Sequence, residues 1–239
     1  MTWINQRPQA LNSSIAPSLS VRLDKPLKKK RIDIGIYSRL RIALLDQTEK
    51  LVVEKEHDSH SFLYNFIVML YNILTNQLAQ AKDINGNAVT PKLQKRTLSF
   101  TYVVEEHETS YTKDVAGWQA WALKEDDSHG ILIGKGTDTV TPYDYRLADQ
   151  IPNGIGAGKM LYLDCVVKTH EVLGNIARVS IERRFINASG STITVTEIGL
   201  AVYDVSSGSV ILIIRDLVEP IEVPNEYVLK ITYSLVVQV

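Results

Sequence analysis

The residues whose types could do chemistry are few and scattered. Gly130-Ile131-Leu132-Ile133-Gly134-Lys135-Gly136-Thr137 carries the glycines and the lysine of a phosphate-cradling loop, in which backbone N–H groups approach an anion and a Lys reaches it. The spacing does not fit: three residues separate the first two glycines, Gly136 stands where a hydroxyl residue should follow the lysine, and no amphipathic helix comes next. His57 and His60, with Asp58 between them, are the one local pair with a spacing suited to a shared metal ion. No cysteine or second carboxylate cluster supports them, and they read as surface histidines near a helix start. Glu105, Glu106, Glu108, Asp114, Glu125, Asp126 and Asp127 form an acidic stretch. A glycosidase needs two carboxyls about 5–10 Å apart across a cleft; nothing in this spacing sets that distance, so a solvated loop is expected. Trp118, Trp121, Tyr143 and Tyr145 offer flat apolar rings with polar edges, the material of a glycan platform, although packing in the core or between subunits uses the same rings. No Gly-x-Ser-x-Gly elbow occurs. Cys165, alone in the chain, lies in phase with Leu161, Leu163 and Val167 and reads as a small buried hydrophobe. No catalytic, cofactor or metal site is expected.

The elements that carry these residues are mainly strands. Tyr227, Leu229, Ile231, Tyr233, Leu235, Val237 and Val239 alternate with a second phase holding Lys230, Thr232, Ser234 and Gln238, as a strand with one buried face requires. Further strands are expected over residues 159–169, 177–186, 192–203 and 210–218, with turns at Asn187-Ala188-Ser189-Gly190 and Ser206-Ser207-Gly208-Ser209. Val210 to Ile214 is apolar in both phases, the mark of a strand covered on both faces. Earlier in the chain, a hairpin is expected over residues 32–56 around Asp46-Gln47-Thr48-Glu49, and a strand over 97–104. The piece around Trp118 and Trp121 fits a short helix or a strand, and residues 134–158 read as a Gly-rich loop at the sandwich rim.

One helix stands out, over residues 61–81, with Asp58, Ser59 or Ser61 as its cap. Phe62, Leu63, Phe66, Ile67, Leu70, Ile73, Leu74 and Leu78 recur at three- and four-residue spacings. Tyr64, Met69 and Tyr71 widen that stripe beyond what one sheet need cover, so part of the helix is expected to face another subunit.

Composition sets the remaining bounds. The 239 residues are 45% hydrophobic, enough for a sizeable core. Lys plus Arg total 26 against 27 for Asp plus Glu, so no global charge draws the chain to nucleic acid or anionic membrane, and a protein partner is expected. No apolar run approaches about twenty residues, and no membrane span is expected. Residues 1–31 hold Pro8, Pro17 and Pro26 and close on Lys25, Lys28, Lys29, Lys30 and Arg31. They read as an extended basic arm, either a solvated tail or a segment that orders on a neighbouring subunit or acidic surface. Residues 32–239 are expected to be a mainly β, antiparallel, jelly-roll-like sandwich.

Two segments carry a likeness to known proteins. The first is the hairpin Leu40 to Val53 running through Ser59-His60-Ser61-Phe62-Leu63-Tyr64-Asn65-Phe66 into the helix. The second joins Gly130 to Thr137, Thr141-Pro142-Tyr143-Asp144-Tyr145-Arg146-Leu147, Phe185 to Gly190, Thr194 to Leu200, and Ile213-Ile214-Arg215-Asp216-Leu217 through to Val239. Together they resemble a group of virion structural proteins of tailed bacteriophages with a β-sandwich core. The resemblance covers about residues 35–239 and rests on turn and strand signatures. It implies a non-enzymatic building block of capsid, neck or tail, made in the host cytoplasm and resident in the virion. Its implied partners are copies of itself in a symmetric homo-oligomer and other virion proteins, without cofactor or membrane, and with any nucleic-acid contact left to the basic arm. From the residues alone, the alternative is a carbohydrate-binding sandwich that recognises a host-surface glycan through Trp118, Trp121, Tyr143 and Tyr145.

Overall fold

The computed structural model describes residues 35–59, 61–75, 77–92, 95–104, 107–168 and 170–238, and over 95–116 it describes the backbone alone. The chain divides into two units, Met1–Ile32 and Asp33–Val239, and the described residues belong to the second. The expected arm with Lys28, Lys29, Lys30 and Arg31 lies outside them, as do His60, Glu105 and Glu106.

In chain order the elements are β1 (Gly35–Leu45), β2 (Leu51–Ser59), α1 (Tyr64–Thr75), β3 (Ala81–Lys82), β4 (Ala88–Val89), β5 (Lys95–Val104), β6 (His107–Ala116), β7 (Trp118–Gln119), β8 (Gly130–Gly134), β9 (Leu161–Tyr162), β10 (Val166–Val167), β11 (Glu171–Leu173), β12 (Ile176–Ile186), β13 (Ile193–Asp204), β14 (Ser209–Val223) and β15 (Val228–Gln238). The chain is thus mainly β and antiparallel, as its alternation requires.

The first sheet has the order β10-β12-β15-β1-β2, and β9 and β11 also pair with β12. Its centre is the alternating C-terminal strand, which aligns Tyr233 with Leu40, Ile231 with Ile42 and Leu229 with Leu44. The second sheet pairs β14 with β13, whose other edge takes β7 and β8 in turn. Leu40, Phe185, Leu229, Ile231 and Tyr233 of the first sheet and Ile131, Ile133, Ile198, Leu200 and Ile214 of the second have no exposed surface and share one core. Burying each such side chain contributes about 1.5–3 kcal/mol. The Tyr233 hydroxyl spans the sheets, donating to Asp216 Oδ2 at 2.8 Å, and Asp216 also accepts from Ser59 Oγ at 2.7 Å. Burial, then the Asp216 charge and its hydrogen bond, holds the Tyr233 hydroxyl well above the usual phenol range.

Local chemistry explains the turns. Asp46 Oδ1 accepts from Thr48 N, Thr48 Oγ1 and Lys50 N, an Asx turn that closes the β1–β2 hairpin where Asp46 to Glu49 was expected to turn. Asn187, fully buried, donates to Ser191 O and Val223 O and accepts from Ser189 N.

Several expectations need correction. The strand expected over 159–169 is broken into β9 and β10, joined by a bridge from Cys165 to Ala122. Residues 107–116 are the antiparallel partner of β5 in a separate two-stranded sheet. The alternation of β15 also fails at its end, where Val236 is buried and Val237 is 43% exposed. Ile36, Val237, Ala177 and Val172 form one register row across the first sheet, and all four are exposed.

The helix is also shorter than 61–81. Phe62 forms a bridge to Ile214 and Leu63 N donates to Ile213 O, so residues just before α1 extend the free edge of β14 before the helix begins at Tyr64. Asp58 and Ser59 lie in β2 and cap nothing. At the far end, Thr75 Oγ1 donates to Tyr71 O and accepts from Gln77 N, and Ala81 is already in β3.

Candidate functional site

Helix α1, YNFIVMLYNILT, has no charged residue, and its two asparagines face inward. Asn65 Nδ2 donates to Lys82 O and Leu212 O, and its Oδ1 accepts from Lys82 N, at 3.0, 3.1 and 3.0 Å. Asn72 repeats the pattern one heptad later, with Ala79 O, Pro91 O and Ala79 N at 2.9, 3.1 and 2.9 Å. Each amide pairs with three backbone groups, as a neighbouring strand would, and is itself buried and satisfied. The inward face is completed by Val68 and Met69.

With the asparagines turned inward, apolar residues face water. Tyr64 is 50% exposed, Ile67 55%, Tyr71 47% and Leu74 81%. Their spacing of three, four and three residues makes one continuous stripe. Exposed Leu78 follows the helix, and exposed Tyr143 adjoins the stripe with its ring centroid 5.8 Å from that of Tyr64. Of the residues expected at an interface, Tyr64 and Tyr71 lie on this stripe. Met69 does not: it stands beside Asn65 and Asn72 and is buried at 2%. The signal missed in the sequence is the seven-residue Asn65–Asn72 repeat, which marks the face that docks.

The segment that looks like a phosphate loop has another purpose. A Cβ on Gly134 would stand 2.6 Å from Glu197 Oε2, and one on Gly136 would stand 2.6 Å from both that oxygen and Ala148 Cβ. These glycines make room for a buried carboxylate. Glu197 accepts from Ala148 N and Asp149 N and from Arg215 Nε at 2.9, 3.3 and 2.5 Å. Arg215 also bonds Asp144 and donates to Asp138 O, so the Glu197–Arg215–Asp144 chain clamps the loop between β8 and β9 to the second sheet. Burial opposes the Asp144 charge, but hydrogen bonds from Thr141 and the Arg215 guanidinium outweigh it and hold its carboxyl below the usual range.

The four rings of the expected glycan platform fall into separate settings. Tyr143 packs against Tyr64, and Tyr145 lies beneath the turn at Gly86 with Lys82 Nζ 5.6 Å from its centroid. Trp118, in β7, pairs with Asp204 of β13, and Trp121 precedes the Ala122–Cys165 bridge with 41% of its surface exposed. Tyr143 and Tyr145 thus belong to the surroundings of α1 and the β3–β4 turn, and Trp118 and Trp121 to those of β7 and the Cys165 bridge.

A Ser-His-Asp set does occur, unannounced by the sequence motifs. Ser128 Oγ lies 2.9 Å from His129 Nδ1 and donates to Asp126 Oδ1 at 2.6 Å, while His129 Nδ1 is 3.3 Å from Asp126 Oδ2. Nucleophilic catalysis divides the two imidazole nitrogens between serine and carboxylate; here both approach Nδ1, the geometry of a turn. Asp127 accepts from Asn153 N, so the described end of the acidic stretch is committed to loop structure. Beneath it Arg183, with no exposed surface, donates to the carbonyls of Leu163, His129, Ile131, Leu123 and Asp126. Cys165 is 2% exposed, and burial pushes its thiol up, away from the reactive thiolate.

Among the described residues no group of three or more His, Cys, Asp or Glu converges as metal ligands, and His57 sits exposed in β2. Open hollows of about 600 and 570 Å³ lie on the outer face of the first sheet. There Arg39 faces Glu56, Arg41 faces Glu54, Arg178 faces Glu171 and Lys230 faces Glu182, so these cations already have carboxylate partners. No described helix is long and apolar enough to cross a membrane. No family model, curated protein or solved structure matches the chain.

Proposed function

We propose that this chain is a structural component of a tailed-bacteriophage virion, in its capsid, neck or tail, that works by contact with copies of itself and with other virion proteins and catalyses no reaction. The observation that carries this reading is the outward stripe of Tyr64, Ile67, Tyr71 and Leu74 on an uncharged helix. Contiguous exposed apolar patches beyond a few hundred Å² mark interaction surfaces, and this stripe grows further through Leu78 and Tyr143. The frame behind it suits a rigid building block. Short strands fill the outer edges of the long strands β12 and β13, its loops are tied down by buried arginines, and a net charge of −1 lets copies approach without strong repulsion. The assignment to a virion comes from the resemblance in strand and turn signatures.

Two measurements test it. Mass spectrometry of purified phage particles from the producing host should recover this chain at a stoichiometric level; its absence from particles, with the protein abundant in the lysate, contradicts a virion role. Removal of residues 1–31, the basic arm, should lower the number of copies per particle, taken from light scattering as particle mass divided by the mass of the shortened chain. An unchanged copy number removes the arm from the assembly.

A further inference from the structure

Resting on the reading of the chain as an assembling component, we infer that the exposed stripe of α1 packs against α1 of a second copy, antiparallel, about a two-fold axis at the level of Met69. Tyr64, Ile67, Tyr71 and Leu74 occupy the alternating three- and four-residue positions of a helix-pairing seam. Their order is tyrosine, aliphatic, tyrosine, aliphatic. Turned antiparallel around its midpoint, the seam sets Tyr64 opposite the partner's Leu74 and Ile67 opposite the partner's Tyr71, and the two-fold repeats both pairs. Every layer then holds one ring and one aliphatic side chain, so the helix axes keep a constant separation, about 8–10 Å for packed helices. A parallel pair would alternate layers of two rings with layers of two aliphatics and could not keep that spacing.

Three further observations select a second copy as the occupant. Residues 61–81 contain no Asp, Glu, Lys or Arg, so juxtaposing two copies brings no like charges together, and no charge is offered to recognise a different partner. Antiparallel alignment sets each helix dipole against its opposite. Together with Leu78 and Tyr143 the stripe exposes roughly 700 Å² per copy, at ~200 Å² for a large side chain, close to the ~800 Å² per partner of a standard stable interface. The contact is isologous and closes on itself, so it makes a pair that other surfaces can build into a larger ring or shell.

Native mass spectrometry of the full chain should give an even multiple of 26.8 kDa. The double variant Ile67→Glu/Leu74→Glu should halve that mass, with an unchanged far-UV circular dichroism spectrum because both positions face solvent in the single chain. Orientation is read by oxidation of single-cysteine additions, with Cys165 too buried to compete. Tyr64 and Leu74 are ten residues apart, about 15 Å along a helix. A mixture of Tyr64→Cys and Leu74→Cys chains should therefore cross-link between chains, and Tyr64→Cys alone should not. A double variant as massive as the parent, or ready cross-linking of Tyr64→Cys to itself, overturns the antiparallel pair while leaving assembly in place. A parent chain of one copy at every concentration overturns assembly itself.

Discussion

Arg183 sets the conformation of a whole loop from inside the protein. The five N–H bonds of its guanidinium meet five backbone carbonyls, and its Cζ lies 4.7 Å from the centroid of the Tyr162 ring. Arg183→Met leaves those carbonyls buried without donors, at a cost of about 3–5 kcal/mol, and should lower the urea midpoint accordingly. Arg183→Lys should not restore it, since an ammonium cannot reproduce the planar fork. His129 gives the loop a pH dependence. Burial, against the opposing pull of Asp126, holds its imidazole below 6.5, so the unfolded chain takes up the proton first as pH falls. The resulting stability is complete above 6.5 and is lost as pH drops through the folded value. The thermal midpoint should start to fall just below pH 6.5, and His129→Gln should remove that first step. Asp144 adds a loss of the same sign below 3.8, alongside Asp46 and Asp126, and Asp144→Asn should make that loss smaller. None of this was legible beforehand. Glu197 meets Gly134 and Gly136, and Arg183 meets Leu123, Asp126 and His129, across some sixty positions of chain, and no local spacing encodes such partners.

Secondary structure was readable wherever a side-chain period expresses itself locally. Leu40, Ile42 and Leu44 were recognisable as one buried phase, and so were Leu229, Ile231 and Tyr233, because alternation follows directly from a one-sided strand. The limits of α1 were not readable. Apolar spacing continues to Leu78, but side-chain amides of Asn72 hold Ala79 and Pro91 as a strand partner would, and tertiary hydrogen bonds override the period. This makes Asn72 a test of how the helix is attached. Asn72→Leu removes three hydrogen bonds and leaves the Ala79 and Pro91 groups unpaired, costing about 2 kcal/mol. Amide exchange should accelerate over residues 79–91 while the centre of β15 keeps its protection. Uniform acceleration throughout the chain would mean that the asparagine supports the global fold instead.

Across the whole molecule the exposed chemistry divides by face. The outer side of the first sheet pairs its charges in place, whereas α1 turns amides inward and hydrocarbon outward. A wide apolar helix was expected from sequence; which of its sides stayed open depended on the two inward asparagines, and Met69 changed sides for that reason. An isolated chain in water leaves that hydrocarbon hydrated, and association relieves the cost. The most direct test is light scattering of the intact chain over a broad dilution series. A molar mass that is a multiple of 26.8 kDa at high concentration, declining toward that of one chain on dilution or on adding charge at Ile67 and Leu74, is the expected result. A mass of 26.8 kDa at every concentration, unchanged by those substitutions, would contradict it.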